Sequence, residues 1–285
     1  MPDATSTVAR SSRPRRVIVS LIDHLGVRAR KLLARSNRIL LIELSRASLK
    51  VNDQDSLLGV TWNLLSPLAA LVIFYVLFKT RFGAGVKNYP LHILLGVVLV
   101  NFFATAVRSL MVAFAVNRTL LLNAIVPRET LIAANLFTSV YKLLVELTAC
   151  AILSMFYGQL SLSDVALAIP LLLSYVCMTL GFGLAAALAY SYARDVEHIW
   201  WLVSRLLFVA TPVFYTLDSV SHRAQECLYW LNPLTPHLLA LRSVLVASGE
   251  AGMLVYCHAA ALGFLVLAAS YCAFLLLEAA ALERV

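Results

Sequence analysis

Long apolar runs, each near the length of a bilayer-spanning helix, dominate this sequence from residue 58 onward. A helix needs about 20 mainly apolar residues to cross the hydrocarbon core of a membrane. Six runs meet this requirement, and we place them at about 58–78, 91–115, 130–157, 165–191, 199–216 and 254–280. Of the 285 residues only 13% are charged, against about a quarter in a soluble domain. The sequence therefore predicts an all-α integral membrane protein with six transmembrane helices.

A seventh apolar stretch, at about 226–247, is a poor candidate for a further span. Polar and helix-breaking residues interrupt it, namely Asn232, Pro233, Pro236, His237 and Arg242. Irregular backbone at membrane depth is tolerated only where protein covers it or where it lines a water-filled cavity. We therefore predict a re-entrant hairpin between spans five and six. Six spans place both chain termini on the same side of the membrane.

The N-terminal part is strongly basic, because 11 of the 23 Lys and Arg residues precede residue 51. This bias predicts a cytoplasmic N-terminus. Anionic lipid headgroups suit these charges, so no nucleic-acid partner is predicted. We expect a basic cytoplasmic segment at 1–35, an amphipathic helix in the membrane interface at 36–56 and a six-span domain at 57–285. A soluble helix packed on a partner protein is the alternative for the amphipathic segment.

The sequence lacks the motifs of several enzyme classes. It has no Gly-rich nucleotide-binding loop ending in Gly-Lys-Ser or Gly-Lys-Thr, and its six histidines have no metal-ligand spacing. No cofactor or metal is therefore expected in this chain. If the protein drives transport, the energy must come from an ion gradient or from a partner ATPase.

Five short motifs occur in order between residues 56 and 242. They are Ser-Leu-Leu-Gly-Val-Thr-Trp-Asn-Leu-Leu-Ser-Pro at 56–67, Asn-Ala-Ile-Val-Pro-Arg-Glu at 123–129, Arg-Asp-Val-Glu-His-Ile at 194–199, Thr-Pro-Val-Phe-Tyr at 211–215, and Asn-Pro-Leu-Thr at 232–235 with Arg242 downstream. As an ordered set they resemble the ABC-2 type permeases of polysaccharide exporters, which export O-antigen, capsule and teichoic acid chains. One segment departs from that pattern, since Asp53 and Asp55 stand where the family usually has an Arg-Tyr pair.

The resemblance implies a homodimeric permease in the cell inner membrane that exports a lipid-linked polysaccharide. It also implies a separate nucleotide-binding ATPase, in two copies, which binds the ATP and Mg²⁺. Two alternative functions exist. An ABC-2 exporter of a small hydrophobic drug or lipid is the nearer one. A membrane-embedded lipid or sugar transferase is disfavoured, because the acidic residues are dispersed and form no catalytic pattern.

The resemblance also assigns roles to residues. Segment 116–127 stands where the family has a helix that docks on the ATPase, and the predicted coupling residues are Arg118, Asn123, Pro127 and Arg128. The predicted gate and interface residues are Ser56, Gly59, Trp62, Arg194 and Asp195. In the family, spans one and five line much of the channel, so the predicted channel residues, whose aromatic rings suit sugar faces, are Tyr75, Phe208, Phe214 and Tyr215.

Charged residues also occur within or near the apolar runs. Lys142 and Glu146 are four residues apart in span three and so share a helix face. They are predicted to line a path for a charged substrate, to relay protons or to form a buried ion pair. Arg108 is predicted to extend to the cytoplasmic interface. Arg194 and Asp195 are expected to pair with each other or with the interface helix, or Arg194 to lie at the membrane boundary.

Overall fold

The computed structural model describes residues 35–53, 61–83, 85–117, 128–158, 161–246 and 251–282 of the chain. Within these residues all regular secondary structure is helical, which confirms the predicted all-α class. The α-helices are α1 (Arg35–Asp53), α2 (Thr61–Phe82), α3 (Tyr89–Val116), α4 (Arg128–Phe156), α5 (Leu162–Tyr192), α6 (Val196–Ala210), α7 (His222–Leu231), α8 (Leu234–Leu245) and α9 (Met253–Leu282). A short 3₁₀-helix, Leu217–Ser219, lies between α6 and α7.

Five helices are long and apolar enough to cross a membrane. These segments are Thr61–Phe82, Tyr89–Val116, Glu129–Phe156, Ser163–Tyr192 and Met253–Leu277. They coincide with predicted spans one to four and six, as expected for a multi-pass membrane protein. The predicted fifth span, 199–216, differs in length, because α6 has 15 residues and ends at Ala210.

Pro212 accounts for the early end of α6. Proline has no amide hydrogen and disfavours the helical conformation at the residue before it. Thr211 is accordingly extended, with ψ at 135°. By length, the described helices therefore supply five membrane-crossing segments rather than the six that were predicted.

Helix α3 forms the centre of the molecule. Its first half, residues 91–100, is buried on all sides, including Ile93 and Val98, as expected for a helical segment that is apolar around nearly its whole circumference. Helices α2, α4, α5 and α6 pack around it, and α5 pairs closely with α9. Gly263 permits that approach, since a Cβ atom there would overlap the backbone and hydroxyl oxygens of Ser174.

The predicted amphipathic segment at 36–56 corresponds to α1, and residues 54–60 lie outside the described part of the chain. Ser45 is buried, and its hydroxyl donates to the Leu41 carbonyl oxygen at 2.8 Å and reaches the Ala134 carbonyl oxygen of α4 at 3.5 Å. On the opposite side Arg46 forms an exposed ion pair with Glu43 at 3.5 Å. Helix α1 is thus amphipathic and packs on α4.

Candidate functional site

Arg242 joins two of the motifs found in the sequence. It lies in the buried helix α8 and has no solvent-exposed surface. Its guanidinium donates to the carbonyl oxygens of Pro212 at 2.5 Å, Val213 at 2.8 Å and His92 at 3.0 Å. Because Arg presents several donors in a fixed planar fork, one side chain fixes the segment after α6 against α8 and α3.

Asn232 joins the same segments from the other end of α8. Its side-chain amide donates to the Thr211 hydroxyl at 2.8 Å, and its side-chain oxygen accepts the Leu234 amide at 3.0 Å. The second bond satisfies a backbone donor at the start of α8 that has no partner within the helix. The Thr211 hydroxyl in turn donates to the Leu207 carbonyl oxygen at 2.7 Å. The motifs at 211–215, 232–235 and 242 therefore form one polar network.

This network fixes the backbone that carries two predicted channel residues, Phe214 and Tyr215. The Tyr89 hydroxyl also holds this segment, donating to the Phe214 carbonyl oxygen at 2.8 Å. The Phe214 ring stacks on Phe78 of α2 with 4.5 Å between ring centroids. We call the surrounding set the aromatic cluster, which consists of Phe74, Phe78, Phe82, Phe208, Phe214 and Tyr215.

Three of the four predicted channel residues thus lie in the aromatic cluster. The fourth, Tyr75, packs beside it on Tyr89, with 6.2 Å between ring centroids, and Lys79 lies over its ring at 4.9 Å. The cluster joins α2 to α6, because the ring centroids of Phe74 and Phe208 are 5.5 Å apart. It also joins α2 to the segment after α6, because Phe78 stacks on Phe214. No sequence motif indicates Tyr89 as a member of this region.

The predicted gate and interface residues are only partly described. Trp62 lies at the start of α2 and is half exposed, while Ser56 and Gly59 lie outside the described residues. Arg194 places its guanidinium over the Tyr190 ring at 4.9 Å, and Asp195 directly precedes α6. The structure therefore does not bring Trp62, Arg194 and Asp195 into one described cluster.

An ion pair that the sequence did not indicate connects α3 with the start of α6. Arg108 donates to the Glu197 carboxylate from Nη2 at 2.5 Å and from Nε at 3.1 Å. Close by, the Trp200 indole donates to the Ala104 carbonyl oxygen at 3.0 Å. Arg108 is therefore a partner of the 194–199 motif as well as a residue near a helix end.

Of the predicted coupling residues, Arg118, Asn123 and Pro127 lie outside the described residues. Arg128 is the first residue of α4, and its side chain is likewise outside the description. Their role in contacting an ATPase stays a prediction.

Lys142 and Glu146 line a polar cavity of about 220 Å³ between α1, α2, α3 and α4. A neighbouring cavity of about 580 Å³ shares five lining residues with it, which are Ser48, Thr105, Ser109, Asn135 and Lys142. We call the two together the polar crevice. One wall is fixed by the Ser109 hydroxyl, which donates to the Asn135 side-chain oxygen at 3.0 Å. Glu146 Oε2 is buried there without a hydrogen-bond partner among the described residues.

The crevice offers hydroxyl, amide, ammonium and carboxylate groups, which suit a hydroxyl-rich or charged ligand. Within the described ranges no group of three or more His, Cys, Asp or Glu residues has the arrangement of a metal site.

Comparison with known proteins agrees with the resemblance that the five sequence motifs carry. The family model described as ABC-2 type transporter matches residues 40–246. The chain is 27% identical over 208 residues to the O-antigen export system permease protein RfbA of Myxococcus xanthus, covering 73% of this chain and 80% of that protein. It is 24% identical over 206 residues to a protein of the same name from Klebsiella pneumoniae, covering 72% of this chain and 79% of that protein.

Proposed function

Because this chain belongs to the ABC-2 type transporter family, we propose that it is the permease subunit of an exporter of lipid-linked polysaccharide. The observation that carries the proposal is its similarity to two O-antigen export permeases over about four fifths of their lengths. The polar network built on Arg242 supports it, because it joins two of the motifs that resemble polysaccharide permeases. The cell inner membrane is the proposed location.

A separate ATPase, in two copies, would supply the energy and would hold ATP and Mg²⁺. The proposed contact surface consists of segment 116–127 and α1, with Arg118, Asn123, Pro127 and Arg128 as coupling residues. Because α1 packs on α4 through Ser45, movement of the ATPase against α1 would reach α4 and the polar crevice directly.

The proposed topology has six spans, with α6 as the fifth and α7–α8 as a re-entrant hairpin. Helix α6 is about 22 Å long, shorter than a hydrocarbon core of about 30 Å. The extended residues after Ala210 would complete the crossing, and Arg242 and Asn232 satisfy this irregular backbone internally, as membrane depth requires. The basic N-terminal segment supports cytoplasmic termini.

The proposed channel lies between two copies of the chain. Helices α2 and α6 leave large apolar side chains exposed, among them Val72, Val76, Leu202 and Leu206. The aromatic cluster lies between these helices, and Tyr75, Phe208, Phe214 and Tyr215 would offer ring faces to sugars. In the present conformation Phe214 is stacked on Phe78, so these two ring faces would reach a sugar only after α2 moves away from the segment that follows α6.

The test is deletion of the gene for this chain in its native cells, followed by complementation with the intact gene. Surface and intracellular polysaccharide are separated by fractionation and compared on gels. We expect lipid-linked polysaccharide to accumulate inside the deletion strain and surface polysaccharide to return on complementation. Normal surface polysaccharide in the deletion strain, together with altered export of a hydrophobic drug or lipid, would refute the proposal and favour the alternative exporter.

The partner is tested by purifying the chain in mild detergent after crosslinking. We expect a nucleotide-binding protein in equal amount, and an ATPase rate that depends on both chains. As a matched pair, Arg118→Ala with Asn123→Ala should uncouple ATP hydrolysis from export, whereas Arg223→Ala on the exposed face of α7 should leave both unchanged.

A further inference from the structure

Arg205 lies in the middle of α6 and is exposed. Its guanidinium lies over the Trp201 ring, 4.1 Å from the centroid. The other large side chains around it on this exposed face are apolar, and they are Trp201, Leu202, Leu206 and Val209. A cation in this position has no role in the polar network or the aromatic cluster.

Contacts between α3 and α6 fix the depth of Arg205. The two helices run antiparallel, because Glu197 pairs with Arg108 and Trp200 bonds to Ala104. Further along, Val213 lies beside Gly96, where an added Cβ atom would be 3.2 Å from the Val213 Cα atom. Along the chain Arg205 lies between Trp200, which contacts Ala104, and Val213, which contacts Gly96. Arg205 is therefore level with the middle of α3.

This level is deep in the membrane. Helix α3 has 28 residues and is about 42 Å long, so its middle lies within a hydrocarbon core of about 30 Å. An ionised side chain at this depth is costly when it faces lipid, and such residues usually face a water-filled cavity or a partner. Arg205 thus needs polar surroundings on its exposed side.

A second copy of the chain meeting through α2 and α6 would not supply a carboxylate. The sequence of α2 contains no acidic residue, and the only acid in α6, Glu197, is bound to Arg108 about 12 Å along the helix axis. Two such surfaces would instead bring two guanidinium groups to the same space. Guanidinium forks are well suited to bidentate binding of phosphate and carboxylate oxygens.

We propose that Arg205 faces a water-filled part of the export path and binds an anionic oxygen group of the passing substrate. The group is either the phosphate that links glycan to lipid or a carboxylate of an acidic sugar. This inference rests on the proposed function and extends it, because it adds a charge-selective contact to a path otherwise lined by aromatic rings.

The first test measures water and charge at this position. All five cysteines are free thiols, so they are replaced by serine before Leu202→Cys is introduced one turn from Arg205. The chain, assembled with its ATPase in nanodiscs, is treated with anionic or cationic water-soluble methanethiosulfonates. We expect both to react, and the ratio of anionic to cationic rates to fall about tenfold when Arg205→Gln is added.

Leu265→Cys, at an exposed apolar position of α9, is the matched lipid-facing control and should stay unlabelled. Absence of labelling at Leu202→Cys with both reagents would overturn the proposal. So would a rate ratio that Arg205→Gln leaves unchanged.

The second test measures export in the deletion strain complemented with Arg205→Lys or Arg205→Gln, at matched membrane levels. We expect Arg205→Gln to lower export about tenfold or more, as loss of a charged hydrogen bond would. Arg205→Lys should lose clearly less, because it keeps the positive charge although it lacks the planar fork. A loss with neutral and acidic glycans alike identifies the linking phosphate as the anion, and a loss with acidic glycan alone identifies the sugar carboxylate.

Wild-type export by Arg205→Gln with both glycans would overturn this inference alone. Equal losses of export in Arg205→Lys and Arg205→Gln would show that the positive charge is not used and would overturn it too. The proposed function fails by a different result, namely normal surface polysaccharide when the whole chain is deleted.

Discussion

Arg242 of α8 donates a hydrogen bond to the carbonyl oxygen of His92 in α3 at 3.0 Å, across 150 positions of sequence. The same guanidinium holds the carbonyl oxygens of Pro212 and Val213. Since Pro212 ends α6, these bonds are what fix the irregular segment after it. The network is thus both a structural anchor and the support of Phe214 in the aromatic cluster.

Replacing Arg242 by methionine removes these donors while keeping an apolar stem of similar length. Because buried carbonyl groups would lose charged partners, we expect a loss of about 3 kcal/mol or more in the free energy of unfolding. Equilibrium unfolding in detergent micelles measures it. Arg242→Lys should recover only part of the loss, since one ammonium cannot reproduce the planar fork. The exposed Arg223→Met change is the matched control, and equal losses in the two variants would contradict the anchoring role.

Gly96 is the place where α3 makes room for this anchor. A Cβ atom there would lie 2.8 Å from Arg242 Nη2 and 3.1 Å from Val213 Cγ1. Gly96→Ala should therefore displace the guanidinium and destabilise the protein by about 1–3 kcal/mol, as overpacking does. Gly252→Ala is the control, because nothing lies within 4 Å of its added Cβ atom. The midpoint temperature of thermal unfolding is measured for both variants. A Gly96→Ala midpoint equal to that of the wild type would refute the steric argument.

Much of the helical framework follows from the sequence, because a long apolar run has few other stable conformations in a membrane. The end of α6 was missed for a local reason. Hydropathy counts residues 211–216 as apolar, yet Pro212 cannot continue the helix. The predicted break at Asn232 and Pro233 is confirmed, because α7 ends at Leu231 and α8 begins at Leu234. Pro236, which was also expected to interrupt this stretch, lies instead in the first turn of α8, where proline is tolerated.

The site was harder to predict than the helices. Each motif was found separately, but spacing along a chain does not reveal that Asn232 bonds to Thr211 or that Arg242 reaches His92. Arg108 was interpreted from its position near a helix end alone. Its partner Glu197 lies 89 residues away, beyond the range of any periodicity argument.

Exchanging the charges of Arg108 and Glu197 tests whether their pair couples α3 to α6. The two side chains are 62% and 31% exposed, so the pair should contribute at most about 1 kcal/mol to stability. Arg108→Glu alone should nevertheless reduce export, because two like charges would face each other at the start of α6. The double change with Glu197→Arg should restore it. Exchange of the exposed His222 and Glu226 side chains within α7 is the control. A double variant no better than either single one would contradict the coupling.

Lys142 and Glu146 provide a double-mutant cycle on the polar crevice. If they form the predicted ion pair, removing one charge leaves the other uncompensated in the membrane, so Lys142→Met or Glu146→Gln alone should cost about 3 kcal/mol. The double variant should recover most of that loss, because no lone charge remains. Additive losses would show that the two side chains act separately. Export assays on the double variant then separate the remaining roles, since a structural pair predicts near-normal export, whereas a path for a charged substrate or a proton relay predicts export lost despite restored stability.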